Sequence, residues 1–369
     1  MKVLHAAALL SPPSGIVSQM EWEQLAASQL GIQWHVKMFC PKGSCVGSPI
    51  ARHACWLSGK KSGIFWKAYA WLLLRVEYHR WLYSLSNQYD AFVLRYYVHD
   101  PFQLLFILFC KRPVYLVHHT LEEPELAMGG SVSGRLRSAL ESLIGKYAIK
   151  KSAGTIAVTR EILDYERSRT QIDSRKAFLY PNGVFFDHVP VSDRRTEVPE
   201  FLFVAGYFAS WHGLDLLLDE LSSRADQFVL HLVGDLSEVD RLRASADKRI
   251  VLHGRLNAEA IRGVAESCSL GLSSFALDRK GMKEACTLKV REYLVMGLPV
   301  YAGHIEVFPA AFDFYRNGAI SLPEILSFAR TASSASREQV AAAAKPYIDK
   351  AATLDILYRA LVDAQKTQD

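Results

Sequence analysis

Cysteine is scarce, with six residues (Cys40, Cys45, Cys55, Cys110, Cys268 and Cys286) spread over 369 positions. That scatter does not make a disulfide framework. Cys40, Cys45 and Cys55 with nearby His53 lack the second close pair that a zinc site needs, so they read as structural. Long apolar runs are missing too. Spanning a bilayer takes about 20 apolar residues, and the best candidate, Phe102 to Cys110, is nine residues long and interrupted by Gln103. The apolar run after Lys2 leads into Ser11-Pro12-Pro13-Ser14-Gly15 instead of a small-residue cleavage site, so it is expected to be a buried first strand. No Gly-x-Gly-x-x-Gly follows a strand, which removes the nicotinamide-dinucleotide fingerprint. Gly129-x4-Gly134-Arg135 lacks the lysine of a phosphate loop, and no Asp-x-Asp occurs. His118-His119 with Glu122 and Glu123 reads as a charged loop after a strand. Neither a metal nor a cofactor is expected.

What is present is ordinary globular composition: 50% hydrophobic, 22% charged and 11% aromatic residues. At roughly 100–200 residues per domain the length predicts two domains. The net charge of +5 is unevenly spread, with +9 in residues 1–184 and −4 in the remainder. Six of the seven tryptophans fall within the first 81 residues. A basic, aromatic first half predicts an anionic partner on that side.

Short apolar runs alternate with amphipathic segments along the whole chain. Strands are expected at 3–10, 34–39, 92–95, 114–118 and 155–158, and helices at 16–30, 65–85, 102–110 and 136–150. The rhythm then repeats, with strands at 201–205, 228–233, 250–253, 270–275 and 300–302. Helices are expected at 214–221, 258–266 (capped by Asn257), 288–296 and 337–362. Strands separated by helices imply parallel sheets. The chain is therefore read as α/β, two Rossmann-like doubly wound domains facing across a cleft. The expected boundaries are 1–184, a linker over 185–199, 200–340, and a C-terminal helix over 341–369 that packs back toward the first domain.

The most informative stretch runs from Lys283 to Val300. Glu284 and Glu292 have seven residues between them, Thr287 stands at a helix N-cap position, and Gly297 and Pro299 end that helix and lead into a strand. A helix N-terminus there offers free N–H groups to an anion, with Lys289 in the first turn. Two carboxylates bracketing such a terminus suit a sugar on one side and a ribose on the other.

Followed by Tyr293-Leu294-x-x-Gly297-Leu298-Pro299-Val300, this pattern resembles the GT-B glycosyltransferases, in particular the large retaining family marked by Glu-x7-Glu. Pro12-x-Ser14-Gly15-Ile16 resembles the family's first glycine loop, Val117-His118-His119 its strand-end histidine, and Pro181-Asn182-Gly183-Val184 the close of its first domain. Phe203 to Tyr207, Trp211-His212-Gly213, Leu232 to Asp235 and His253-Gly254-Arg255 are similar to successive strand ends of its second domain. The resemblance covers about residues 1–340. It implies that Glu284 contacts the transferred sugar, that Glu292 holds the ribose diol, and that N–H groups near Thr287, Leu288 and Lys289 bind the diphosphate. It also implies that Gly15 lets backbone approach the same phosphates, that Gly206, Tyr207 and Arg255 lie at the donor, and that His118 or His119 touches the donor sugar.

One departure stands out. The family commonly carries an Arg and a Lys in the second-domain loop where this chain has Tyr207 and His212. Protonated His212, Lys289, Lys283 and Arg255 are the candidates to neutralise the departing diphosphate. The segment 60–81 mixes Lys, Arg, Trp and Tyr, as a membrane interface requires; a core helix with a basic outer face is the alternative. No nucleic-acid module is present. The expected protein is a metal-independent hexosyltransferase, cytoplasmic and peripheral on the inner membrane. It would move a sugar from a nucleotide sugar to a lipid-linked or growing glycan for cell-surface polysaccharide. A nucleotide-sugar epimerase of the same fold and a non-catalytic scaffold are the alternatives.

Overall fold

A computed structural model describes residues 1–57, 63–128, 132–186 and 190–366. They form two compact units, one of residues 1–185 with 350 onward, the other of residues 186–349.

The first unit opens on β1 (Val3–Ala8), buried at every position as befits the interior of a parallel sheet covered on both faces. After α1 (Ser14–Leu30), Gly31 adopts φ of 65° and turns its N–H back to Ala27 and Ser28, which ends the helix. There follow β2 (Trp34–Cys40), β3 (Ala51–His53), α2 (Ile64–Ser84), β4 (Ala91–Arg95) and α3 (Pro101–Phe109). Asp100 caps α3 and Pro101 fills its first turn, where no N–H is needed. Next come β5 (Val114–His118), α4 (Glu122–Met128), α5 (Val132–Leu140), α6 (Lys146–Lys151), β6 (Gly154–Ala157), α7 (Arg160–Thr170) and β7 (Ala177–Leu179). A widened turn, Glu141–Gly145, joins α5 to α6. Gly134 of the rejected phosphate loop lies inside α5, while Gly129 lies outside the described residues. The sheet order is β3-β2-β1-β4-β5-β6-β7, all parallel, and the winding reverses between β1 and β4.

The second unit contains β8 (Glu200–Tyr207), α8 (Leu214–Ser222), β9 (Val229–Asp235), α9 (Glu238–Ala246), β10 (Ile250–Gly254), α10 (Ala258–Ala265) and β11 (Leu270–Ser273). It continues with α11 (Leu288–Val295), β12 (Val300–Ala302), β13 (Tyr315–Asn317), α12 (Leu322–Ala332) and α13 (Arg337–Ile348). Its order is β10-β9-β8-β11-β12-β13, again parallel, with the reversal between β8 and β11. Phe201, Phe203, Leu230, Leu232 and Leu272 of the sheet pack with Leu217, Leu221, Ile325 and Phe328 of α8 and α12.

The structure departs from the expected elements in three places. Short edge strands β3, β7 and β13, and helices α4, α7, α9 and α12, were not anticipated. Residues 190–199, expected to be a linker, pack on the second unit: Val191 N–H donates to Met296 O at 3.2 Å, and Arg195 reaches Ser333 O at 3.3 Å. The single helix expected over 337–362 is two, because Asp349 is extended between α13 and α14 (Lys350–Lys366).

Helix α14 belongs to the first unit. Leu354, Leu357 and Leu361, spaced for one helical face, are buried there with Ala26 and Ala27 of α1. Beneath them Glu23 collects Trp34 Nε1 at 2.7 Å, Tyr180 OH at 2.8 Å, His5 at 2.5 Å and Lys350 Nζ at 3.4 Å. Burial opposes the charge on Glu23, yet His5 and Lys350 hold its carboxyl far below the usual range.

Candidate functional site

In an open parallel sheet, ligands bind beyond the carboxyl ends of the strands, at the point where the winding reverses. In the second unit that point is marked by the segments leaving β8, β11 and β12. Gly206 and Tyr207 end β8, and Tyr207 is exposed. A short turn, Ser210–His212, follows. Phe275 N–H donates to His212 O at 2.9 Å, which ties that turn to the segment after β11. The segment after β11 in turn supports the one after β12: Gly303 N–H donates to Ser274 O at 3.0 Å. The last link is a bridge between Ile305 and Glu284, where Ala285 N–H meets Ile305 O and Ile305 N–H meets Lys283 O, both at 2.9 Å. Glu284 is thereby fixed by backbone pairing, half-buried, just ahead of α11.

Thr287 is the N-cap of α11, its hydroxyl accepting from Val290 N–H at 3.4 Å. Its own N–H is taken by Glu306 Oε1 at 3.1 Å. The hydroxyl and N–H of Thr287 are therefore engaged, and the donors left without an intrahelical acceptor are the N–H groups of Leu288 and Lys289. Lys289 Nζ lies 2.8 Å from Glu292 Oε2, one helical turn on, with both side chains half-exposed. The two positions expected to bind donor thus hold each other, and each is accessible.

Underneath lies a feature that spacing did not reveal. Arg291 and Glu306 form a fully buried ion pair at 2.6 Å, and Arg291 also donates to Thr287 O at 3.1 Å. His304 stands 3.7 Å from Glu306 and donates through Nδ1 to Ser274 O at 3.0 Å. Burial works against the Glu306 charge, but Arg291 and His304 keep its carboxyl below the usual range. This cluster locks the loops at 283–287 and 303–307 onto the start of α11. A lone Glu after Gly303-His304 carries no recognisable signal in the sequence.

His212 does not supply the positive charge considered for it. Burial, together with the nearby charge of Lys280, lowers its pKa, and its Nδ1 accepts from Ala209 N–H at 2.9 Å. The same Nδ1 stands 3.2 Å from Ala209 O, so the neutral ring is satisfied with its proton on either nitrogen. Arg255 follows β10, is exposed, and donates through Nε to Asp235 Oδ2 at 2.7 Å. Gly234, just before Asp235, is required: with φ of 127°, a Cβ would lie 1.6 Å from Ala205 O.

In the first unit the two adjacent histidines separate. His118 is completely buried, stacked on Tyr96 with ring centroids 4.3 Å apart, and faces Glu122 at 3.1 Å and Glu166 at 3.9 Å. Burial opposes protonation, but the two carboxylates raise its pKa above the usual imidazole value. Arg169 extends the network, reaching Glu166 at 2.8 Å and Glu141 at 3.1 Å. His118, Glu122 and Glu166 hold their ligating atoms within 4.8 Å of one another, as do Glu200, His231 and Cys268. In the first cluster Arg169 already supplies the neutralising cation. His119 points the other way and is half-buried. Burial of the ring, and then the nearby charges of Arg95, His5 and Lys350, hold it well below the usual value, so it is neutral although part of the residue reaches the surface. Of the two, His119 is the one with an accessible side chain. Gly15 lies exposed in the first turn of α1, directly after the loop from β1. Burial and Cys45 push the Cys40 thiol up to about 12.

The chain has the GT-B fold. No protein-family model matches it, and no curated protein matches it in sequence. Among solved structures it is similar to the lipopolysaccharide outer core galactosyltransferase WaaB in its apo form. The TM-score is 0.65 at 14% identity, covering 98% of this chain and 99% of that one. It is also similar to Anabaena HepE in complex with UDP and glucose, with a TM-score of 0.64 at 13% identity, covering 98% and 99%. A putative UDP-N-acetylglucosamine 2-epimerase from Listeria monocytogenes shares the fold with a TM-score of 0.54 at 12% identity, covering 100% and 98%. Both transferases and an epimerase occupy this fold, so chemistry has to be argued from the site.

Proposed function

We propose that the protein is a retaining glycosyltransferase that moves a hexose from a nucleoside-diphosphate sugar to a lipid-linked or growing glycan, without a metal ion. The observation that carries the reading is the seating of Glu284, the start of α11 and Glu292 at the carboxyl ends of β8, β11 and β12. In this reading the N–H groups of Leu288 and Lys289 receive the diphosphate, and Glu292 exchanges Lys289 for the ribose diol. Lys289 is then free to meet the phosphate charge. Glu284 accepts hydrogen bonds from the sugar hydroxyls, and neutral His212, in its Nε2-protonated form, donates toward the leaving phosphate. His119, the accessible histidine, is assigned to the donor sugar, and Gly15 to the approach of backbone. Aimed dipoles of this kind stabilise departing charge without net positive charge.

The membrane side of the reading is supported by α2. Its inner face buries Ala70, Leu74, Tyr78 and Leu82, while Phe65 (89% exposed), Tyr69, Trp71 and Leu72 are left outside. Val132, Leu136, Leu140, Leu143 and Tyr147 are also exposed, near Arg135, Lys146, Lys150 and Lys151. Apolar and basic groups together suit an anionic lipid surface. Lys60, Lys61 and Ser62 lie outside the described residues, and no helix among those described is long and apolar enough to cross a membrane.

The test is to incubate the protein with a panel of sugar nucleotides, with and without bacterial membranes. Release of nucleoside diphosphate that depends on the membranes is expected. Conversion of the free sugar nucleotide to its epimer with no acceptor present would replace this reading by the epimerase one.

A further inference from the structure

The first unit has its own reversal point, between β1 and β4, and a cavity of about 380 Å³ lies beside it. Ligand pockets commonly fall in this size range. Three of its lining residues, Tyr97, Val98 and His99, follow β4 directly, and the Tyr97 hydroxyl meets Ala8 N–H at the end of β1. The remaining wall comes from α2 and α5, through Trp71, Arg75 and Arg137.

The lining is built from two kinds of group. Trp71 and Tyr97 contribute aromatic rings. Arg75 lies over the Tyr97 ring at 3.6 Å, over Trp71 at 5.6 Å, and 3.0 Å from buried Asp100. Arg75 therefore holds the aromatic wall in place, with its own charge already met. Arg137 is exposed and brings a second guanidinium to the rim. His99 has φ of 42°, uncommon outside glycine, and its N–H is held by Glu141 Oε2 at 2.5 Å. Its Nδ1 is buried with no hydrogen-bond partner among the described residues. A backbone held in the left-handed region beside a cavity, with an unmet ring nitrogen, is where ligand contacts are commonly made.

We infer that this cavity is an acceptor subsite for an anionic glycoside, whose sugar ring packs on Trp71 and whose phosphate or carboxylate pairs with Arg137. Sugar rings offer apolar C–H faces to aromatic side chains, and a guanidinium matches either oxyanion in bidentate fashion. The role as acceptor rests on the transferase reading; the binding does not.

The test is calorimetric titration of the full chain, without donor, using three probes: a hexose 1-phosphate, glucuronate and the neutral methyl glucoside. Both anionic probes are expected to bind more tightly than the neutral one if either oxyanion suffices; a preference for one identifies the anion. Arg137→Ala is expected to weaken the preferred anionic probe about 10-fold and leave the neutral one unchanged, while Trp71→Phe preserves binding and Trp71→Ala weakens all. Equal affinity for charged and neutral probes, or an Arg137→Ala protein that binds the anions as the wild type does, would overturn the assignment. Either result leaves the donor reading standing, since no nucleotide is present.

Discussion

His118 and His119 are neighbours in the chain and opposites in the structure. The alternation of a strand end sends one ring into a carboxylate-lined interior and leaves the other reachable. Both fit the family's strand-end histidine equally well as letters, and only packing separates them. The buried one carries a pH signature. Its folded-state pKa lies above the unfolded value, so its ion-pair stability is complete below about pH 6.5 and is lost as pH rises through the raised value. Urea midpoints of the first unit's transition, wild type against His118→Asn, are therefore expected to differ most near pH 6 and to converge toward pH 9. A pH-independent difference would remove the charge from His118. His212 teaches the same lesson from the other side. Its place in the loop was legible, but the burial that keeps it neutral was not.

At the scale of elements, most core strands and several helices were readable, while the edge strands β3, β7 and β13 and the helices α4, α7, α9 and α12 were not. The helix after Thr287 carried its cap, its apolar face and its glycine stop in the sequence, and all three appear where expected. β3 and β13 are three residues each, too short for alternation to register. The break at Asp349 had one signal in the sequence, Pro346, which lies in the last turn of α13 and which the single-helix reading passed over. What anchors α11 gave no such signal, since Arg291 and Glu306 meet only after the loop beyond β12 folds back. A buried pair of this kind is costly to halve. Arg291→Leu is expected to destabilise the second unit by about 3 kcal/mol in urea denaturation, because it strands Glu306 in the interior. The double variant Arg291→Leu/Glu306→Leu is expected to lose less than that single change. Strictly additive losses would mean that the two side chains are not coupled.

At the scale of the whole molecule, the charge asymmetry of the sequence resolves into separate duties. The basic first unit exposes aromatic and apolar side chains beside lysines and arginines. The acidic second unit presents its candidate donor site through a helix start and a few placed groups, with no surplus of positive charge. Its cations at Lys289 and Arg255 are each matched by a carboxylate, Glu292 and Asp235. The chain returns α14 to the first unit, where Lys350 closes on Glu23. Solved structures at 12–14% identity share this two-unit architecture, so the fold is far better determined than the chemistry. The most direct measurement of the central claim is steady-state release of nucleoside diphosphate by wild type, Glu284→Ala and Glu292→Gln, with membranes supplied. The account predicts that Glu284→Ala lowers kcat about 100-fold or more and that Glu292→Gln mainly raises the donor KM, about 10-fold. A Glu284→Ala protein that turns over as the wild type does would contradict it.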